Sequence, residues 1–312
     1  LDFRHKKIQI PKFLNRKNDD NRLKCVFSKK VKNGKIGTAT ISRNACGQYF
    51  VSFIVHTTEA EKPIVSDSEI TLGNSIGIDF GLKHFLTFSD GTKVDSPEYL
   101  KLALDRLAKE QRKLSKKQKG SKNREKQRIK VAKCHNHISN QRSNFLHSLS
   151  TKLSDESQVK AICVEDLNIN AMMKRWGRKV SDLSYYTFTA MLDYKLRRRG
   201  KRLLKIGRFQ PSTQICSSCG HRRHMALDDR TYVCPECGMT LDRDVNAAKN
   251  IKSFALRDII KNFSTDATSG INACGVGGSG RVRRTHTTKP PTMKQENLRE
   301  AHSPSISTVF SR

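Results

Sequence analysis

Acidic residues are scarce in this chain: 29 Asp and Glu stand against 60 Lys and Arg over 312 residues, a formal charge of +31. That imbalance excludes a near-neutral enzyme handling small metabolites, because a surface of one sign repels itself without an anionic partner. Nucleic acid is the partner it implies. Long apolar runs are also missing. No segment reaches the roughly 18 uninterrupted apolar residues of a bilayer crossing, and no apolar signal core follows the basic N-terminal stretch, so no membrane is expected. The expected setting is intracellular: cytoplasmic and associated with the nucleoid. Hydrophobic residues make up only 36% of the chain, and mean hydropathy is −0.63. This is enough for one sizeable core plus one or two small modules, with extended basic surface. A disulfide framework fits poorly, since nine cysteines is an odd number and four of them fall in two close pairs; metal ligation in a reducing compartment fits better. Cys25, Cys46, Cys134, Cys163 and Cys274 read as ordinary thiols. The first residue is Leu1 and not Met, which points to sequence upstream.

Residues 1–72 read as a small basic β-module. Lys7-Ile8-Gln9-Ile10-Pro11 is a short strand, and Gly37–Ser42 with Tyr49–His56 form a hairpin in which Val51, Phe53 and Val55 alternate on one face. From residue 73 the texture changes. Ile76–Phe80 and His84–Ser89 are apolar strands, and Asp90-Gly91 turns the chain into Thr92-Lys93-Val94. Residues 98–153 then carry helical periodicity, with Leu100, Leu104, Leu107 and Leu114 on one stripe and Ile138, Phe145, Leu149 and Leu153 on a returning one, reversed near Gly120-Ser121. Between Lys101 and Arg142 there are 15 Lys/Arg against 3 acids, a cationic hairpin suited to phosphate contact. Lys160–Glu165 is a further strand, Tyr185–Arg198 a helix and Arg202–Ile206 another strand. Residues 73–211 are thus an α/β core of ribonuclease-H type interrupted by the basic hairpin. A cysteine-paired module spans 212–241, a final helical segment 242–263, and 264–312, rich in Gly, Ser, Thr and Pro, reads as a disordered tail.

Against this basic background three lone carboxylates stand out. Asp79 lies inside an apolar strand, where an unpaired charge is costly; Glu165 ends another; Asp244 stands near the start of the last helix, where the macrodipole favours an anion. Neighbouring strands with a helix packed on them can gather all three at one edge. Such a cluster repels itself and suits a pair of hard divalent cations of the kind that activate water and stabilise a leaving oxygen in phosphodiester cleavage. Asp166, Asp242 and the Asp228-Asp229 pair lie nearby, and Asp242 rivals Asp244: if Asp242 caps the helix, Asp244 occupies its first turn.

Cys216-Ser-Ser-Cys219 and Cys234-Pro-Glu-Cys237 are separated by 14 residues, and Gly220 and Gly238 follow each pair. Two such knuckles make a four-thiolate site with no open coordination position, so one structural Zn²⁺ is expected at Cys216, Cys219, Cys234 and Cys237. Arg222, Arg223 and Arg230 decorate this module.

Four segments together, Gly77-Ile-Asp-Phe-Gly-Leu82, Val164-Glu-Asp-Leu-Asn168, Phe209-Gln-Pro-Ser-Thr-Gln-Ile-Cys216-Ser-Ser-Cys219-Gly220 and Asp242-Arg-Asp-Val-Asn-Ala-Ala-Lys-Asn-Ile251, resemble the TnpB family of transposon-encoded RNA-guided DNA endonucleases, relatives of the compact type V CRISPR effectors. The resemblance implies a RuvC-like domain with catalytic, Mg²⁺-binding acids at Asp79, Glu165 and Asp244, a zinc ribbon at the four cysteines, and a partial wedge-type β-barrel over 1–72. It implies a guide RNA from the transposon end and double- and single-stranded target DNA as partners, with both strands cut at one site. The hairpin over 98–153 resembles the insertion that lines the guide–target duplex. Arg230 resembles a basic residue that holds the scissile strand, with Gln214 and Asn246 as further candidates. The match is N-terminally shortened: Leu1 aligns within the region where the family carries its first wedge strands and helical recognition lobe. Other readings of the same residues are a guide-bound DNA-binding regulator or inactive remnant, and an unguided structure-specific nuclease or a strand-joining transposase.

Overall fold

The computed structural model describes residues 2, 4–9, 22–28, 34–57, 62–226, 228–268 and 306–310. They form two compact units, one from residues 1–59 and 267–312, the other from 60–266.

In the first unit, β1 (Lys7–Gln9) pairs antiparallel with β2 (Arg22–Lys24). A four-stranded sheet holds β3 (Val26–Phe27), β4 (Lys35–Arg43), β5 (Tyr49–His56) and, late in the chain, β13 (Ile306–Phe310), in the order β3-β13-β5-β4. The expected hairpin is present as β4–β5. Its buried side is short: Val51 and Phe53 join Ile8 and Cys25 in a small core, while β4 is exposed along its whole length. The tail expected over 264–312 lies mostly outside the described residues; its described parts are the end of the last helix and β13.

The second unit is built on a five-stranded mixed sheet, ordered β10-β9-β6-β7-β8. Its strands are β6 (Ser75–Phe80), β7 (His84–Phe88), β8 (Lys93–Asp95), β9 (Ala161–Glu165) and β10 (Arg202–Ile206). The first three form an antiparallel meander, and β9 and β10 add parallel to β6 and β9. Strands with both faces covered read as continuous apolar runs, and β9 shows why. Ile162 and Val164 enter one core with Ile78, Phe80, Phe188, Leu192 and Leu196. Ala161 and Cys163 enter the opposite core with Leu204, Ile206, Ile251 and Phe254. The first face is covered by helices α2 (Lys122–Asp155), α3 (Ile169–Leu183) and α4 (Tyr185–Arg198), the second by α5 (Arg243–Thr268).

Helix α1 (Tyr99–Ser115) runs back along α2 as the expected basic hairpin. Ser121 caps α2 by accepting a 3.1 Å bond from the Arg124 N–H. Leu107 and Ile138 are buried as the stripes require, whereas Leu104 stays 37% exposed. Residues 169–183 carry no element in the sequence reading and form α3. Asn168 caps it through Ala171 N–H at 3.1 Å, and it bends at Trp176, beside Gly177. The sequence puts the β-module boundary at 72, while the structure divides at Glu59/Ala60. Ile70 lies in the core under α5, and Val65 N–H donates to Gly200 O at 2.9 Å. Among the described residues no helix is long and apolar enough to cross a membrane.

Candidate active site and metal centre

The register of β6 and β9 brings two of the predicted acids together. Ile78 is the partner of Val164, so Asp79 and Glu165, one residue further along each strand, are neighbours about 4.8 Å apart in the sheet and share a face. That face is the one under α5. Gly77, two residues before Asp79 and on the same side, is where helix and strand touch: a Cβ built there would meet Ala248 O at 2.0 Å and Lys252 Cβ at 2.9 Å. One turn before Ala248 is Asp244. Four helical residues rise about 6 Å and two strand residues about 6.6 Å, so the contact at Gly77 sets Asp244 over Asp79.

The helix start is fixed by the rival acid. Asp242 Oδ1 accepts from the backbone N–H groups of Asp244 (3.0 Å) and Val245 (3.2 Å), making it the N-cap. Its Oδ2 accepts from Lys93 Nζ at 2.7 Å. Partial burial pushes the Asp242 carboxyl up, but the Lys93 ammonium and the two cap bonds outweigh it and hold the group below its usual value. Lys93 belongs to the same row of the sheet as the acids, since Asp79 pairs with Thr87 and Thr87 with Lys93. Asp166 is engaged elsewhere, accepting from Arg208 Nε at 2.7 Å.

Ionising Asp79 is made costly by its surroundings and by its two neighbours. Asp79 keeps part of its surface open, yet the protein packed around it desolvates the carboxyl, and the Asp244 and Glu165 charges add repulsion; together they push it well above the usual carboxylate range. Arg243, whose Nε lies 3.2 Å from Asp244 Oδ1, offsets part of this. Burial, then the charge of Asp166, pushes Glu165 up to about 7. Tyr185, donating to Gly81 O at 2.7 Å, is pushed up by burial and by Asp79. Carboxylate oxygens are the donors that hard divalent cations prefer, so the donor chemistry of Asp79, Glu165 and Asp244 suits such ions, although the three are less tightly gathered than the four cysteine sulfurs.

The four cysteines are gathered more tightly. Their sulfurs lie within 4.8 Å of one another, the one such donor group found among the described residues. The Cys216–Cys237 and Cys219–Cys234 sulfurs are 3.7 and 3.5 Å apart, close to the about 3.8 Å edge of a tetrahedron with 2.3 Å Zn–S bonds. Each knuckle closes as its spacing implies: Gly220 N–H donates to Cys216 O at 3.0 Å and Gly238 N–H to Cys234 O at 3.1 Å. Both glycines sit at positive φ, +79° and +71°. Within this cluster backbone N–H groups of Cys237 and Glu236 pull the Cys234 thiol below its usual value. At Cys219 the lowering bond from His221 N–H is outweighed by burial and by bonds to the other three sulfurs, which push it up to about 12, so one thiolate is favoured at the expense of its neighbour. The four cysteines can hold a zinc ion. Strands β11 (Thr231–Val233) and β12 (Thr240–Asp242) complete the ribbon, and β12 runs directly into α5.

Two buried asparagines fasten the ribbon to α5. Asn246 accepts from Ser217 N–H at 2.9 Å and donates to Ile215 O at 2.7 Å, and Asn250 donates to Ser212 O and Ile215 O at 2.7 and 2.6 Å. Asn246, a candidate from sequence, is therefore a clasp. Asn250 escapes the sequence reading, its signal being the i, i+4 pairing of two asparagines in an apolar helix. Gln214 accepts from Arg222 Nε and Nη2 at 3.2 and 3.0 Å. Arg230 is exposed, and its carbonyl accepts from Arg243 N–H at 2.9 Å, which sets it beside the start of α5. Away from the acids, a groove of about 590 Å³ between α1 and α2 is lined by Arg106, Lys130, Lys133 and His137.

The fold and site define an α/β protein whose central sheet sets Asp79 beside Glu165 under the helix that carries Asp244, and that helix continues from a four-cysteine ribbon. Two family models match successive parts of the chain: "Probable transposase" over residues 57–175 and "Cas12f1-like, TNB domain" over 185–251. A Streptomyces pristinaespiralis protein named "Putative RNA-guided DNA endonuclease" is 38% identical over 222 residues, 70% of this chain and 53% of its own. InsQ of Escherichia coli K12, named likewise, is 30% identical over 236 residues, 70% of this chain and 56% of its own. A mimivirus "TnpB-like protein L79" is 28% identical over 200 residues, 59% of this chain and 38% of its own. The chain belongs to the TnpB family. It spans about half the length of the first two relatives. Among solved structures, one of a Cas12f1–sgRNA–target DNA complex aligns at a TM-score of 0.44 with 18% identity, covering 69% of this chain and 46% of that one.

Proposed function

We propose that this chain is the nuclease part of an RNA-guided DNA endonuclease of transposon origin, cutting target DNA at a single RuvC-like, Mg²⁺-dependent site. The observation that carries the reading is the in-register pair Asp79–Glu165, with Asp244 set over it by the Gly77–Ala248 contact. The strand order, an antiparallel meander extended by two parallel strands, supports the ribonuclease-H-type core.

Asp79, Glu165 and Asp244 would hold the cations, and two Mg²⁺ ions bound there supply Lewis-acid charge for phosphodiester hydrolysis. The chain's own contribution is placement. Gly77 fixes the spacing of sheet and helix, Asp242 with Lys93 fixes the first turn of α5, and the Asn246–Asn250 clasp ties the ribbon to the same turn. Arg230, exposed beside that turn, is suited to holding the scissile strand. The basic hairpin α1–α2 and the ribbon supply cationic surface for guide RNA and for double- and single-stranded target DNA. The relatives named as RNA-guided DNA endonucleases support the substrate class.

The test is Mg²⁺-dependent cleavage of a matched DNA by protein purified with RNA transcribed from its own locus. Asp79→Ala and Glu165→Ala each abolish cleavage while RNA and DNA binding persist. Cleavage surviving both substitutions, or equal cutting of DNA unmatched to the RNA, overturns the reading.

A further inference from the structure

The segment Phe209-Gln-Pro-Ser-Thr-Gln-Ile that leads into the first knuckle contains a feature the nuclease reading leaves unused. Phe209 is 98% exposed, more than Leu102 at 79% or Tyr186 at 76%. Single exposed apolar residues are ordinary on protein surfaces. Phe209 stands on a loop, and that loop is fastened on both sides. Gln210 N–H donates to Gly207 O at 3.2 Å, and Ser212 N–H to Gln210 O at 2.8 Å. Gln210 Nε2 donates to Asp258 Oδ2 at 3.1 Å, and Arg208 Nε to Asp166 Oδ2 at 2.7 Å. The ring is held out by a pinned turn.

The turn lies at the acid edge. Ile206, three residues before Phe209, is the register partner of Glu165, and its carbonyl accepts from Asp166 N–H at 3.2 Å. Arg208, next to Phe209, is bonded to Asp166, next to Glu165.

We propose that Phe209 is a stacking platform for an unpaired nucleobase, holding a single strand beside the acid edge. A bare aromatic ring on a chain of +31 charge is matched by a ligand that is flat and π-faced at one end and anionic along its backbone. Base–aromatic stacking tolerates any sequence because every base has a π-face. A duplex buries those faces between neighbouring pairs, so the ligand is a single strand. The inference rests on the nuclease reading only for what the strand is presented to; stacking is measurable without cleavage.

The experiment uses the full chain in calcium, without magnesium, and a 12-nucleotide single-stranded DNA carrying one 2-aminopurine. The wild type quenches the probe's fluorescence on binding. Phe209→Ala and Phe209→Leu weaken single-strand binding about 5- to 100-fold and lose the quench. Phe209→Trp keeps both, and binding of the same sequence as a duplex changes less than about twofold. The thermal midpoint of Phe209→Ala stays within about 1 °C of wild type, because the ring packs against almost nothing. Wild-type behaviour of Phe209→Leu, equal losses on single strand and duplex, or a clear fall in midpoint, which would mean the ring is covered by protein, overturns the proposal. Asp79→Asn separates the two readings: it removes cleavage and keeps the quench if both hold, and if it keeps cleavage the nuclease assignment fails while the quench still decides the platform.

Discussion

Glu165 shows what the site costs when it holds no cations. Its carboxyl is pushed from the ordinary 4.5 up to about 7, first by burial and then by Asp166. A folded-state value above the unfolded one means that the unfolded chain gives up its proton first. Stability contributed by the protonated form is complete below about pH 4.5 and is lost as pH rises towards 7. Removing the charge therefore stabilises the metal-free protein at neutral pH and not in acid. Glu165→Gln is expected to raise the metal-free thermal midpoint by roughly 6–12 °C at pH 8, from about 3 kcal/mol of relieved penalty, and to leave it unchanged at pH 4; calorimetry at the two pH values checks this. At this scale Asp79 and Glu165 stand out in the sequence because a charge within or at the end of an apolar strand is anomalous, whereas Asp244 is preferred to Asp242 mainly through the family resemblance. The clasp made by Asn246 and Asn250 is not legible there, since it depends on the backbone of Ser212, Ile215 and Ser217, 29 to 38 residues away in the chain and adjacent only after the ribbon folds.

Among the elements, α5 and β6 carry the most consequence. Their closeness depends on Gly77 having no side chain. Since the obstructing atom is the Ala248 carbonyl oxygen, 2.0 Å from a built Cβ, no rotamer change can relieve the clash and the helix must move. Gly77→Ala is expected to destabilise the unit by at least about 3 kcal/mol and to weaken Mn²⁺ binding measured by electron paramagnetic resonance. A variant that keeps the wild-type midpoint and Mn²⁺ affinity would show that the contact does not set the site. Most strands could be read from the sequence, because runs such as Ala-Ile-Cys-Val-Glu are short, apolar and bounded by turn residues. Helix α3 could not. Gly177 interrupts its pattern, and the element bends at Trp176 instead of ending there, held by Val180 and Leu183 in the core under α4. Tertiary packing overrides local propensity at that point.

At the scale of the whole molecule, stability is divided among small bodies. The ribbon's buried residues are few, Met225 and Tyr232 beside Cys216 and Cys234, so its fold is expected to depend on a metal at the four cysteines in a way that the sheet, with two cores, does not. Cys216→Ser is expected to split unfolding into two transitions, an early one for the ribbon and a later one for the sheet near the wild-type temperature, with zinc falling below one per chain by atomic absorption. A single unsplit transition with full zinc would contradict it. The order of these bodies along the chain has a further effect. Asp79 and Glu165 are synthesised together with most of the sheet, but helix α5 follows Glu165 by about 80 residues, some 4–16 seconds of translation, with the four thiols made in between. On the proposed activity, a ribosome-bound chain carries an incomplete set of acids, and cutting competence arises only once the ribbon has emerged and the last helix has docked.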